Sequence, residues 1–251
     1  MLEVLRTKLG IARATAVALT VIALAPAIAA IAELGFSRSV TAVLVDRYAT
    51  LFGNGARRHL NNWQKFIQTL NPGGEPADRA MDASRVLGRV NAFVNRVPWI
   101  SDFEHWHVID YWATPAEMFA SDGGDCEDFV IAKYFALKEL GMPIERLRFV
   151  YVRTRQSSEP HMVLAYYAKP EAIPLILDNL FGWIVPATER PDLTPVYSFN
   201  DDDLVLADGR FASQGKLTSQ GKLNPMLIRQ WKNLIEKLQM ELRYSRARHG
   251  G

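Results

Sequence analysis

The hydrophobic period of this chain changes near Gly141, and that change limits the folds open to it. Before it, apolar residues recur at intervals of three and four. Leu60, Trp63, Phe66, Ile67 and Leu70 mark one helix stopped by Asn71-Pro72-Gly73-Gly74, and Val86, Leu87, Val90, Phe93, Val94 and Val97 mark another stopped by Pro98. After it, Arg148 to Arg155, His161 to Ala168 and Pro174 to Leu180 are short β-branched and aromatic runs separated by polar breaks, which predicts antiparallel strands. Pro195 to Phe199 and Leu204 to Ala207 flank the acidic turn 200–203 as a further hairpin. Helices first and strands after is the pattern of an α+β fold. At 251 residues and 49% apolar composition, the chain can bury a real core.

The segment before residue 33 differs in kind. Arg6, Lys8 and Arg13 precede an Ala, Val, Leu and Ile-rich stretch from Ala14 to Ala32 that is broken by Pro26 and ends in small residues. This is the layout of a signal peptide over residues 1–32, with A-x-A sites ending at Ala29 or Ala32; the alternative is an uncleaved membrane anchor. Under either reading the body is exported.

Charge is unevenly placed in that body. Residues 33–209 hold 17 basic and 24 acidic residues, while residues 210–251 hold nine basic and two acidic ones. The net charge of +2 for the whole chain offers no general basic surface, which argues against nucleic acid as a partner. Residues 210–251 read as a basic linker and an amphipathic helix begun by Asn224-Pro225, with Leu227, Ile228, Trp231, Leu234, Ile235, Leu238 and Leu242 on one stripe. Such a helix either packs on the acidic body or serves a membrane surface or partner.

The stretch with most chemical content is Gly123-Gly124-Asp125-Cys126-Glu127-Asp128, running into an apolar helix that Gly141 and Pro143 close. Cys126 is the single cysteine, so an internal disulfide and multi-cysteine metal sites are excluded. Placed at a helix start, its thiol meets the positive end of the macrodipole and unpaired N–H groups, which favour a thiolate and can hold an oxyanion. The two glycines are expected to let a substrate backbone approach. Asp125, Glu127 and Asp128 work against the thiolate by raising its pKa. They are either an ordinary N-cap with first-turn acids or ligands of a hard cation such as Ca²⁺.

A thiol nucleophile needs a base. His59 and His249 read as solvated, and His105 with His107 form at most a metal pair that lacks a third ligand at recognisable spacing. His161 opens an apolar strand and is the best base. If the strands 161–168 and 174–180 pair about a turn near Lys169-Pro170, residues whose numbers sum to about 339 face each other, which matches His161 with Asp178. Asp178 is then placed to orient the imidazole, giving a nucleophile, base and orienter in Cys126, His161 and Asp178.

Four motifs in this order, Tyr111-Trp112-Ala113-Thr114-Pro115-Ala116-Glu117, Gly123 to Phe129 with Ala132-Lys133-Tyr134, His161-Met162-Val163-Leu164, and Leu177-Asp178-Asn179-Leu180, closely resemble the bacterial transglutaminase-like cysteine proteinases. The resemblance spans roughly residues 56–205. It implies a papain-like, transglutaminase-like core over residues 33–209, with Cys126 as nucleophile at a helix start packed on an antiparallel sheet, His161 as base and Asp178 as orienter. It further implies Ca²⁺ held by Asp125, Glu127 and Asp128, and a periplasmic location. The implied substrate is a large surface adhesin, cut in its N-terminal region at an Ala-Ala site to release the cell from its biofilm. The implied control is an inner-membrane receptor of cyclic di-GMP that sequesters the protease. Two other readings use the same residues: a peptidoglycan amidase with Cys–His chemistry, for which wall-binding repeats are missing, and a non-catalytic calcium-responsive binding module.

Overall fold

Ten consecutive residues, Asp128 to Leu137, are buried, so the helix that carries them is enclosed on every side. This helix, Cys126–Glu139, is the centre of the fold. Leu140 caps it, and Gly141 then takes the left-handed conformation (φ 84°) while the N–H of Met142 bonds to the carbonyl of Leu137 at 2.9 Å and that of Gly141 to Lys138 at 3.0 Å. That is a Schellman closure, and it requires the glycine that the sequence supplies.

The structure is a computed structural model that describes residues 40–71, 80–155, 160–200, 204–206, 211 and 225–246. The helices are α1 (Ala42–Phe52), α2 (Gly55–Leu70), α3 (Ala80–Val94), α4 (Asp102–Trp106), α5 (Pro115–Ser121), the central α6 (Cys126–Glu139) and α7 (Pro225–Arg246). The strands are β1 (Leu147–Thr154), β2 (Pro160–Tyr166), β3 (Leu175–Leu177), β4 (Val185–Pro186), β5 (Leu193–Phe199) and β6 (Leu204–Leu206). They form one sheet in the order β4-β3-β2-β1-β5-β6, antiparallel throughout. The α+β expectation holds.

Alternation along the strands sends Phe149, Met162, Leu164 and Leu177 into the main core beneath α6, and Val150, Val152, Val163, Ala165 and Ile176 into a smaller cluster on the other face. The helical stripes read from the sequence are the buried ones: Leu60, Trp63, Ile67 and Leu70 on α2, and Val86, Leu87, Val90 and Val94 on α3. Trp63 stacks on Phe119 with ring centroids 4.5 Å apart, joining α2 to α5. Three short or amphipathic helices and one strand were not foreseen: α1, α4, α5 and the two-residue β4. For α5 the signal was present, since Thr114-Pro115 followed by Glu117 is a capping box with proline at the first helical position.

Helix α7 packs on the body. Leu234, Ile235, Leu238 and Leu242 belong to the main core, and the buried Glu241 accepts hydrogen bonds from Tyr48 Oη and Thr114 Oγ1 at 2.5 Å each. Burial raises the Glu241 pKa to about 8, with Glu117 adding to the effect. Among the described residues no helix is long and apolar enough to cross a membrane. The expected leader over residues 1–32 and the basic segment 212–224 lie outside the described residues.

Leu238→Ala is expected to cost about 2–5 kcal/mol in urea unfolding, as for a leucine removed from a packed core. A change within about 0.5 kcal/mol would place α7 on the surface instead.

Candidate active site

Cys126 is the first residue of α6, and Asp125 before it is extended (φ −105°, ψ −165°) in the N-cap position. The incoming chain is pinned by a bridge between Trp99 and Gly124, with the Ile100 N–H bonding to Gly124 O at 3.0 Å. Both glycines are buried. A Cβ on Gly123 would lie 2.6 Å from Ile100 Cδ1, and one on Gly124 would lie 2.8 Å from Asp128 Oδ2. The glycines are therefore needed for close internal packing. The expectation that they serve substrate approach is corrected by this burial.

The half-buried thiol opens into a cleft of about 740 Å³. Trp99, Phe103, Ile109, Trp112 and the stacked pair Tyr151 and Tyr197, 4.7 Å between centroids, form its apolar walls, while Asp125 and Glu127 border the thiol. Pro160 and Met162 of β2 also line it, and the Met162 N–H faces the thiol. His161 sits between these two residues at 4% exposure.

Behind the cleft, His161 Nε2 lies 2.8 Å from Asp178 Oδ1, which also accepts the Leu180 N–H at 3.0 Å. Asp178 has no exposed surface. The expected pair is thus brought together, but by a different register. The hairpin pairs Leu164 with Leu177, Ala165 with Ile176 and Tyr166 with Leu175, so that paired numbers sum to 341. The reason is that the edge of β2 continues to Tyr167, whose N–H bonds to Arg146 O at 2.8 Å, and the turn falls later, closed by Ala172 N–H to Lys169 O. A two-residue offset preserves which face each side chain takes, so Asp178 still reaches His161 diagonally from just past the end of β3. Burial tends to raise the Asp178 pKa, but the hydrogen bond and charge of His161, the Leu180 N–H and Arg190 together hold it below the ordinary value.

Asp128 is buried and acts as a structural ligand of backbone: its Oδ1 accepts the Ala113 N–H at 2.7 Å and its Oδ2 the Asp125 N–H at 3.4 Å. Glu127 Oε2 accepts the Cys126 thiol proton at 2.8 Å. Carboxylate oxygens of Asp102, Asp125 and Asp128 lie within 4.8 Å of one another, as do the ligand atoms of Asp125, Cys126 and Glu127. Asp102, on α4, is a member that the sequence reading missed, because nothing local distinguishes it from a first-turn acid after the Ser101 cap.

The donor set fits a hard cation. Asp102 Oδ1 and Asp125 Oδ1 are buried with no hydrogen-bond partner. Burial and the neighbouring acids raise the Asp102 pKa to about 6 and that of Asp125 to about 11, with Asp128 raised as well. Crowded, desolvated carboxylate oxygens without donors are what Ca²⁺ accepts as ligands. The thiol shows the same field. Burial first, then Glu127 and Asp125, push the Cys126 pKa up, against the Met162 N–H, which lowers it. Burial and the flanking acids, which were expected to oppose a thiolate, outweigh the favourable helix start.

Among the described residues, the other histidines are engaged elsewhere. His105 Nε2 pairs with Ser121 Oγ at 2.8 Å, and His107 is the left-handed cap of α4, so the two do not share a strand face. His59 is not free in solvent, since its Nδ1 contacts the Phe119 carbonyl at 3.2 Å.

A profile of the bacterial transglutaminase-like cysteine proteinases matches residues 71–191. Among solved structures, calcium-bound LapG of Legionella pneumophila is 34% identical, with a TM-score of 0.61 and coverage of 77% of this chain and 97% of that one. The EGTA-treated form of the same protein matches at 34% identity and a TM-score of 0.60, over the same shares of the two chains. No curated protein matches the chain.

The acid cluster has a consequence for stability. Asp102 has its folded pKa raised above the unfolded value, so in chelator it binds more protons folded than unfolded, and stability falls as pH rises from about 4 through about 6. Thermal melts in EGTA across that window are expected to show the decline, and excess Ca²⁺ is expected to remove it. Superimposable melts with and without Ca²⁺ would exclude the cluster as a cation site.

Proposed function

The chain belongs to the bacterial transglutaminase-like cysteine proteinases, and from that premise we propose that it is a calcium-dependent endopeptidase of the periplasm using Cys126, His161 and Asp178. The observation that carries the residue assignment is the buried His161–Asp178 pair at 2.8 Å, on the strand whose next residue, Met162, turns its N–H to the thiol.

In this reading His161 takes the proton of Cys126, and the sulfur attacks the scissile carbonyl to give a tetrahedral oxyanion beside the N–H groups that open α6. Collapse breaks the C–N bond while His161 returns the proton to the leaving amine, leaving a thioester. Water, deprotonated by the same imidazole, then attacks the thioester carbonyl and releases the acid and the thiol. Asp178 holds the ring and stabilises the imidazolium in both halves. Asp102, Asp125 and Asp128, with Glu127 at their edge, are the residues that would hold Ca²⁺. When bound, the ion supplies positive charge against the carboxylates that surround the thiol. The calcium-bound and EGTA-treated forms of the Legionella pneumophila protein support this choice of cation.

The proposal extends to biology through the family. The substrate is the N-terminal region of a large surface adhesin, cut at an Ala-Ala site to promote biofilm dispersal, and the controlling partner is an inner-membrane cyclic di-GMP receptor that sequesters the enzyme. The leader-like residues 1–32 support export to that compartment.

Incubating the purified chain with the N-terminal fragment of the host's own adhesin tests this directly. Cleavage is expected with Ca²⁺, none with EGTA, and none for Cys126→Ala, whose stability should stay within about 1–2 kcal/mol of the native chain. Asp178→Asn is expected to retain only a trace, about 10²–10⁴-fold below native. Full activity of Cys126→Ala would overturn the nucleophile, and undiminished cleavage in EGTA would overturn the calcium dependence.

A further inference from the structure

Asp178 is gripped from a second side. Its Oδ2 lies 2.9 Å from Arg190 Nη1, and neither atom has any hydrogen-bond partner; the contact is an ion pair whose angle falls outside hydrogen-bond geometry. Arg190 comes from the loop between β4 and β5, just after the 3₁₀ turn Ala187–Glu189, and its guanidinium is itself buried. Its Nε and Nη2 bond to the two carboxylate oxygens of Asp192 at 2.9 and 2.8 Å, a bidentate clamp that fixes the plane of the group. The Phe181 ring packs under it, 5.0 Å from the guanidinium carbon.

We propose that Arg190 is a positioning residue of the triad. It engages Oδ2 so that Oδ1 is left for His161, and it keeps the buried carboxylate charged while Asp192 keeps Arg190 in place. This inference rests on the triad reading given above.

The physical need is clear from burial. A carboxylate with no exposed surface is costly to ionise unless opposite charge and donors surround it. The groups that face Asp178 are His161 from β2, Arg190 from the β4–β5 loop, Lys133 from α6 and the Leu180 N–H. Of these, His161 changes its charge during the reaction. Lys133 is wholly buried without a hydrogen-bond partner, and its pKa is lowered to about 7. Arg190 alone is a side chain permanently charged and in direct contact. A merely structural Arg190 would tie the β3–β4 and β4–β5 loops together and affect stability. A positioning Arg190 must also set the acidity of Asp178. With the cation gone, Asp178 takes a proton at higher pH, and a neutral Asp178 no longer stabilises the imidazolium, so activity is lost earlier as pH falls.

The test is a ¹³C-carboxyl titration of Asp178 in the full chain, its signal assigned with Asp178→Asn, for the native protein, Arg190→Met and Arg190→Lys. The Asp178 midpoint is expected to rise by about half a pH unit or more in Arg190→Met and to be largely restored in Arg190→Lys. In parallel, kcat for the adhesin fragment is expected to fall about tenfold with KM within about twofold, and the acid limb of the pH profile to move upward with the titration. Should Arg190→Met fail to fold, Arg190→Gln carries the same test, since it removes the charge, keeps a donor toward Asp192 and leaves Cys126, His161 and Asp178 in place. It should show a shift in the same direction. An unchanged Asp178 midpoint in Arg190→Met, or in Arg190→Gln where Arg190→Met does not fold, overturns the inference. A native chain that cleaves nothing would overturn the protease reading on which this inference rests, whereas native cleavage with an unchanged midpoint overturns this inference alone.

Discussion

The hydrogen bonds of the Asp128 carboxylate hold the site together. Fully enclosed one turn into α6, it receives the N–H of Asp125, which closes the helix start, and the N–H of Ala113, which fastens the neighbouring extended segment. That segment is strung from both sides. Its Tyr111 N–H goes to Asp102 and its Ala113 N–H to Asp128, while its Asp110 and Trp112 carbonyls accept from Gln230 and Lys237 of α7 at 2.6 Å each. The C-terminal helix is thereby coupled to the wall of the cleft by the alternation of donors and acceptors along four residues of backbone. Lys237 also pairs with Glu117 at 2.9 Å and sits 3.7 Å over the Tyr111 ring, so its charge is used in place.

The site divides its charges by location. Acids crowd the thiol end of α6, where burial and then Glu127, Asp128 and Asp102 raise the Asp125 pKa, and burial and then Glu127 and Asp125 raise that of Cys126. Cations crowd the far end of the triad, where Lys133 and Arg190 act on Asp178. Each end carries a cost of burial, since the first crowds carboxylates that burial holds toward their protonated forms and the second holds the Lys133 amine without a hydrogen-bond partner. A divalent cation relieves the first, and the ionised Asp178 relieves the second. Under the proposed calcium reading the thiol's chemistry is conditional on the ion, while the His161–Asp178 contact is built in.

Much of the fold was legible because its signals are local. The stripes of α2 and α3, the Gly141 closure of α6 and the alternation of β1 and β2 each depend on residues within a few positions of one another. The pairing of His161 with Asp178 was legible for a weaker reason, since a hairpin's parity survives an error of two in its register. Asp102 and Arg190 were not legible. Each reaches the site from a separate element, and each has a bland local explanation, a first-turn acid in one case and a loop cation beside Asp192 in the other.

Both the helix start and the flanking acids that oppose it were legible at the thiol; the weight of burial was not. A helix start has a known local effect on a cysteine, and the sequence shows that start plainly. What outweighs it is desolvation first and then Glu127 and Asp125, its neighbours in sequence, and the two buried glycines are the mark of how tight the packing around them is. Gly124 has no room for a Cβ because Asp128 folds back over it, and Asp128 folds back because two N–H groups need an acceptor there. The run Gly123 to Asp128 is therefore first a packing solution. It brings the helix start, the acids and the thiol within a few ångströms, and the chemistry proposed for Cys126 depends on that closeness being tolerable only when the charge is balanced.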